Sequence, residues 1–341
     1  FDPTLGSLTL VALAAKTASP TFLAFSPDKK MLIAANEIDN YVASGADAGA
    51  AAGEKTGSVS SFKVDGASLT YVNTVSAHGA STCHVAVDQS GTAVFAANYT
   101  GGSAASFRLG ADGRLSPAVS QFHYKGHGPV ADRQDSPHAH RVTVSPDNRF
   151  VFVNDLGLDC LHIYHLDWAA GALTPATPPE LKLAPASGPR ALRFHPIGPW
   201  VYCVNELNST IDVFGWKQTT GQFTALQRLE LLPEGFKGVA RASELVFDRS
   251  GLFGYAAVRD NNFVATLMVH PLTGKLTLAD RCDCGGKTPR HIALDPSEKW
   301  LLVANQDSDV ISAIQRDATS GKLGSTAVNM KIAKPQCLLF A

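Results

Sequence analysis

RQDSPHAHRVTVSPDNRFVFVNDLGLD, from Arg133 to Asp159, is the stretch on which the rest of the chain is built. Two histidines, His138 and His140, lead into an alternating strand, HRVTV. A Ser145-Pro146-Asp147 turn follows, then a second strand, FVFVND, and a loop, LGLD. Successive side chains of a strand point to opposite faces, so Val142 and Val144 share one face. The proline and aspartate favour a turn because one presets φ and the other bonds its own backbone.

Five other stretches repeat this pattern: FLAFSPDKKMLIAANE, HVAVDQSGTAVFAANY, ALRFHPIGPWVYCVNEL, ELVFDRSGLFGYAAVRD and HIALDPSEKWLLVANQD. Aligned on the turn, the copies are anchored at Pro27, Gln89, Pro146, Pro196, Arg249 and Pro296. The anchors are 62, 57, 50, 53 and 47 residues apart, in the range of a propeller blade of roughly 40–50 residues plus loop insertions. Each copy is followed by a third strand, such as SVSSFKVD or TIDVFGW, and a fourth, such as KLTLADRCD. The strands of one unit are called a, b, c and d. No amphipathic helix interrupts them.

FDPTLGSLTLVALA at the start reads as the tail of a strand c and then a strand d, and KPQCLLFA at the end reads as a seventh strand a. The expected fold is all-β: a seven-bladed β-propeller of four-stranded blades, one domain over residues 1–341. Its ring is closed by the N- and C-terminal strands, and the start of the shared blade falls upstream of Phe1. Closing a ring removes exposed sheet edges. Two insertions stand out. Asp39 to Gly57 reads as a mobile loop, and Phe122 to Ser136 as a long loop leading into the histidines.

Composition narrows the function. Apolar residues are 45% of the chain and charged residues 17%, below the roughly 25% of an average soluble chain. With a net charge of −1, nothing favours nucleic acid or an anionic membrane as a partner. No apolar run approaches the roughly 18 residues of a transmembrane helix. The six cysteines are scattered without a CxxC pair. They read as reduced strand cysteines, and the expected location is the cytoplasm. His138 and His140 lack a third ligand at fixed spacing, so neither a metal nor another cofactor is expected. The expected state is a monomer or weak dimer.

The copies differ most at the head of strand a. Two and four residues before every anchor the chain is apolar. Six before, it carries Thr21, Cys83, His140, Arg190, Ser243, Arg290 and, in the seventh strand, Gln336. A propeller sets its innermost strands around a central channel, so these heads are expected to converge at one mouth. Glu206, at the end of the strand VYCVN, is expected at the same face. So are Arg241, two residues before Ser243, and His138, two before His140, with His84 next to Cys83. Cationic neighbours favour an ionised Glu206, available as a base. Arginines suit an anionic substrate because they bind carboxylate or phosphate bidentately.

RQDSPHAH, NDLGLD, SGPRALRFHP, VYCVNELNSTIDVF, LPEGF and TPRHIALDP with LLVANQDSD resemble the seven-bladed lactonase propellers. That family includes propeller-type 6-phosphogluconolactonases and fungal 3-carboxy-cis,cis-muconate lactonizing enzymes. The resemblance covers nearly the whole chain and implies a site of one histidine, two arginines and one glutamate. These fall on His140, Arg190, Arg241 and Glu206. Arg290, His138, His84 and Gln336 are added as substrate-binding candidates from the residue pattern alone.

Lactone hydrolysis needs a base for water, a group to stabilise the oxyanion and an acid for the leaving alkoxide. Glu206 or His140 can serve as base and acid, with the arginines as clamp. The expected reaction is hydrolysis of a sugar-acid lactone, such as 6-phosphogluconolactone. The alternatives are muconate cycloisomerisation, which closes the same type of ring, and a non-enzymatic interaction scaffold. The expected partner is a small anionic lactone or carboxylate. No G-x-S-x-G nucleophile elbow is present, which argues against a covalent acyl-enzyme.

Overall fold

The computed structural model describes residues 1–42 and 56–341, with the side chains of 325–327 left out. The Asp39–Gly57 insertion therefore lies largely outside the described residues. The chain divides into two compact units, one of Ala12–Pro189 and one of Phe1–Val11 with Arg190–Ala341. Among the described residues there is no α-helix, only one short 3-10 turn at Gln306–Ser308.

The Ala12–Pro189 unit holds three four-stranded antiparallel sheets, each a meander in chain order. The first is β1 (Pro20–Phe25), β2 (Met31–Tyr41), β3 (Thr56–Asp65) and β4 (Ser68–Ser76). The second is β5 (Thr82–Val87), β6 (Ala93–Asn98), β7 (Ser103–Leu109) and β8 (Leu115–His123). The third is β9 (Ala139–Val144), β10 (Phe150–Asp155), β11 (Cys160–Asp167) and β12 (Ala172–Lys182). Consecutive sheets share apolar clusters. Ile33 and Val59 of the first pack with Val85 and Phe107 of the second. Phe95 of the second packs with Val142 and Val153 of the third.

The other unit repeats the plan. Its first sheet is β13 (Pro189–Phe194), β14 (Trp200–Asn205), β15 (Thr210–Lys217) and β16 (Gln222–Glu230). The second is β17 (Arg241–Phe247), β18 (Phe253–Arg259), β19 (Phe263–Val269) and β20 (Leu276–Asp283). The third is β21 (Pro289–Leu294), β22 (Trp300–Asn305), β23 (Val310–Arg316) and β24 (Leu323–Lys331). Tyr202 and Val213 pack with Leu245 and Ala256 across the first pair of sheets. Tyr255 and Val264 pack with Ile292 and Val303 across the second.

The strand-a pattern works as its period implies. Four residues before the anchor, Val85, Val142, Leu192, Leu245 and Ile292 are buried between sheets. The residue before each anchor has a second task. It caps the a–b turn by accepting a backbone N–H from the turn or from the start of the next strand. Ser26 Oγ accepts from Met31 at 2.9 Å, Asp88 Oδ1 from Ala93 at 2.8 Å and Ser145 Oγ from Phe150 at 2.9 Å. His195 Nδ1 accepts from Gly198 at 2.7 Å, Asp248 Oδ1 from Phe253 at 3.1 Å and Asp295 Oδ1 from Trp300 at 2.8 Å. Serine, aspartate and histidine are interchangeable here because each offers a short-reach acceptor.

The termini differ from expectation. Within their unit, the Phe1 and Phe340 rings meet at 5.9 Å, and Trp300 Nε1 donates to the Pro3 carbonyl at 2.9 Å. Leu8, Leu338 and Phe340 pack on Trp300 and Leu302. Yet Pro335–Ala341 forms no ladder, nor do residues 8–19. In every complete sheet strand a pairs with strand b, and no strand b lies beside Pro335–Ala341 among the described residues. Six complete blades are formed, and the terminal segments meet through side chains instead of a closing ladder.

The turn caps give a stability test. Asp295 is buried, and its loss strands the Trp300 N–H. Asp295→Ala is expected to lower unfolding stability by about 1–3 kcal/mol, read as a lower urea midpoint at unchanged slope. An unchanged midpoint would remove the capping role.

Candidate active site

The Arg190–Ala341 unit gathers a compact charged cluster. Glu206 follows the last residue of β14 and is 1% exposed. Its Oε2 accepts a hydrogen bond from Arg190 Nη1 at 2.6 Å. Arg190 heads β13, and its Nε donates to the Ser243 carbonyl at 2.9 Å, which fixes the guanidinium across to the next sheet. Arg259 Nη2 lies 2.6 Å from the same Glu206 oxygen. That approach is off the hydrogen-bonding direction. Arg259 Nε and Nη2 are buried, and neither has a hydrogen-bond acceptor among the described residues.

Arg259 was not singled out by the sequence reading. It ends β18, ten residues after its anchor, as Glu206 stands ten after Pro196. The repeat register therefore held the signal: Glu206 and Arg259 are the same position in consecutive blades. Gln306 is the next copy. Arg241, the second arginine expected at the site, instead makes a two-point ion pair with Asp260, at 2.9 and 2.6 Å. Arg259 thus lies on Glu206, and Arg241 pairs with Asp260, the residue next to Arg259.

Burial pushes Arg259 down to about 10. Glu206 opposes this, while the charges of Arg190, Arg290 and Arg241 add to it. Those three arginines thus act on Arg259, which makes four in the group. Set against Glu206 and Asp260, they leave an excess of two positive charges among these six side chains. Nε of this buried guanidinium has no acceptor, which costs about 1–3 kcal/mol, and Nη2 is in ion-pair contact with Glu206; the cluster is chemically suited to an anion.

The histidines lie in the Ala12–Pro189 unit. His138 stacks flat on Tyr99, with centroids 4.4 Å apart, and its Nδ1 is 3.0 Å from the Tyr99 carbonyl. Its Nε2 is 3.4 Å from Asp135. His140, at the head of β9, meets the edge of the Tyr99 ring at 5.5 Å. Tyr99 stands ten residues after its anchor, again the position of Glu206, and was likewise missed. His84 is buried inside this unit, not set at a strand head. Its ring packs on Phe22 at 4.0 Å, and Nδ1 accepts the Val142 N–H at 3.4 Å. Cys83 is itself buried against the Ala139 and His140 carbonyls. Gln336 is half-buried in the C-terminal segment.

A family model described as lactonase, seven-bladed beta-propeller, matches residues 1–340. The chain belongs to this lactonase family. The 6-phosphogluconolactonase of Bacillus subtilis is 29% identical over 330 residues, 96% of this chain and 89% of that protein. The periplasmic gluconolactonase of Pseudomonas aeruginosa has a solved structure that superposes with a TM-score of 0.86 at 32% identity, covering 94% of this chain and 88% of that one. A Bacteroides fragilis structure described as a putative 6-phosphogluconolactonase superposes at 0.85 with 32% identity, over 96% and 88% of the two chains. These relatives support a lactonase enzyme. They lend no support to the muconate cycloisomerase alternative. Among the described residues no helix is long and apolar enough to cross a membrane. A periplasmic relative means that the family does not carry the cytoplasmic expectation.

The cluster makes a pH prediction. An anion held by Arg259 needs its protonated form, so affinity for an anion of constant charge should fall as pH rises through about 10. Calorimetric titration with sulfate, whose charge is constant over this range, checks this. Arg259→Gln should bind more weakly at neutral pH and lose the alkaline fall. An Arg259→Gln profile identical to wild type would contradict the assignment.

Proposed function

We propose that this chain hydrolyses a sugar-acid lactone bearing an anionic group, of the 6-phosphogluconolactone type. The observation that carries the reading is Arg259, buried beside Glu206 and Arg190 with two nitrogens lacking acceptors. The relatives named 6-phosphogluconolactonase and gluconolactonase support the lactone as substrate class. The excess of positive charge supports a phosphorylated or otherwise anionic lactone over a neutral one.

In this reading Glu206 takes a proton from the attacking water. Both guanidiniums favour its ionised form, which a base requires. Arg190 and Arg259 face the oxygen that gains charge as the ring carbonyl becomes tetrahedral. Such preorganised donors are worth roughly two to three orders of magnitude in turnover. Arg290 heads the next inner strand, and the copy of Glu206 in its blade is the neutral Gln306. Its role is to hold a remote anionic group of the substrate.

A substrate panel tests this: phosphorylated sugar lactones, unphosphorylated lactones and carboxymuconate, each followed at neutral pH above the spontaneous rate. The phosphorylated lactone should give the highest kcat/KM. Arg190→Ala should lower kcat by about 100- to 1,000-fold, and Arg290→Ala should chiefly raise KM, the mark of lost uniform binding. Turnover of carboxymuconate alone would overturn hydrolysis. No turnover of any member would favour a scaffold. Abolition of turnover by Arg290→Ala with only weakened binding in Arg190→Ala would reverse the assigned roles.

A further inference from the structure

The third sheet of the Ala12–Pro189 unit carries a second cluster, which the lactonase reading does not use. Cys160 and His162 are two residues apart on β11 and share a face, and both are buried. β12 places Glu180 opposite His162, beyond a bulge between His162 and Tyr164. One donor atom from each of Cys160, His162 and Glu180 lies within 4.8 Å of the other two. From these three side chains the geometry points to a binding site for a single thiophilic divalent cation, of the zinc type.

Tetrahedral zinc with bonds of about 2.0–2.3 Å sets its ligand atoms about 3.3–3.8 Å apart. Glu180 Oε1 meets this at 3.4 Å from His162 Nδ1. Cys160 Sγ is 3.7 Å from the other nitrogen, Nε2, so it has to shift to share an ion with Nδ1, from within the 4.8 Å that bounds the three donors. Asp155, fully buried at the end of β10, puts Oδ2 at 3.3 Å from Nε2. The imidazole thus has a carboxylate on each side. With Nδ1 on the ion, Nε2 keeps Asp155 as its partner, the arrangement that orients a metal-bound histidine. Tyr124 stacks on the ring at 3.7 Å and 6°, which further fixes its plane.

Two features oppose binding, and both are bounded. Lys182 pairs with Glu180 at 2.8 Å, but through Oε2, leaving the Oε1 contact to His162 as it is. Burial pushes the Cys160 thiol well above its ordinary range, with the Asp155 carboxylate adding to this. A dication supplies the positive charge that a buried thiolate otherwise lacks, and its binding releases the thiol proton. The ion would tie β11 to β12. It would also act on the segment carrying the histidines, since Asp155 Oδ1 accepts the His138 and Leu158 N–H groups.

The test uses the full, tag-free chain, stripped with a chelator and titrated with cobalt(II) as a coloured stand-in for zinc. One equivalent should bind and produce thiolate-to-cobalt absorption in the near ultraviolet, displaced by zinc. Cys160→Ser should lose the band. Glu180→Gln, on an outer strand and partly exposed, should fold and bind about 10- to 100-fold more weakly. Zinc should raise the melting temperature of wild type more than that of Glu180→Gln. Absence of a thiolate band in wild type would overturn the proposal. So would a band undiminished in Cys160→Ser, or, should that variant fail to fold, unchanged cobalt affinity in Glu180→Gln. Lactone turnover is not a readout, so the proposal stands or falls apart from the hydrolytic one.

Discussion

One carboxylate held between two guanidiniums sets the demands on this structure. Glu206 is buried, and taking an ion out of water costs several kcal/mol unless partners are placed well. Its partners come from different positions of the repeat. Arg190 heads the inner strand of the same blade, while Arg259 ends the second strand of the next. The arrangement holds only if the two blades keep their register. The apolar cluster of Tyr202, Val213, Leu245 and Ala256 supplies that constraint, and the Arg190 bond to the Ser243 carbonyl adds a polar tie between the blades.

The same packing explains why the site is made at strand ends. Strand interiors are committed to burying alternate side chains between sheets, and the a–b turns are closed by their own side-chain caps. Only the heads of strand a and the ends of strand b are free to vary in chemistry. Within one unit those positions supply Arg190, Glu206, Arg259 and Arg290, on rigid elements instead of loops. That is the kind of support a precise electrostatic site needs.

The repeat was legible because each blade restates its burial pattern. Leu245 and Ile292 are apolar for the same reason, and period 2 finds both. The polar strand heads were legible as departures from that pattern, which is how Arg190 and Glu206 were reached. Arg259 was missed although it stands at the same register position as Glu206. Its charge differs, and only the fold shows that opposite charges at matching positions of neighbouring blades meet. His84 packs inside its unit against Phe22 and the Val142 N–H, beside a bulge of β5 that periodicity does not show. Cys160, His162 and Glu180 could not be joined from sequence. Their meeting depends on a bulge that resets the β11–β12 register. The seventh blade was read from strand-like composition; the family model is seven-bladed, while the described residues form six four-stranded sheets and no ladder at Pro335–Ala341.

The central claim is that the Arg190–Glu206–Arg259 cluster receives the anionic lactone. The most direct measurement is a crystal structure with the ring-opened product, 6-phosphogluconate, bound at neutral pH. The account predicts one of its acidic groups within hydrogen-bonding distance of Arg259 Nε or Nη2, with Glu206 beside the former ring carbonyl. Product bound away from Arg190 and Arg259, with Arg259 still lacking acceptors, would contradict it.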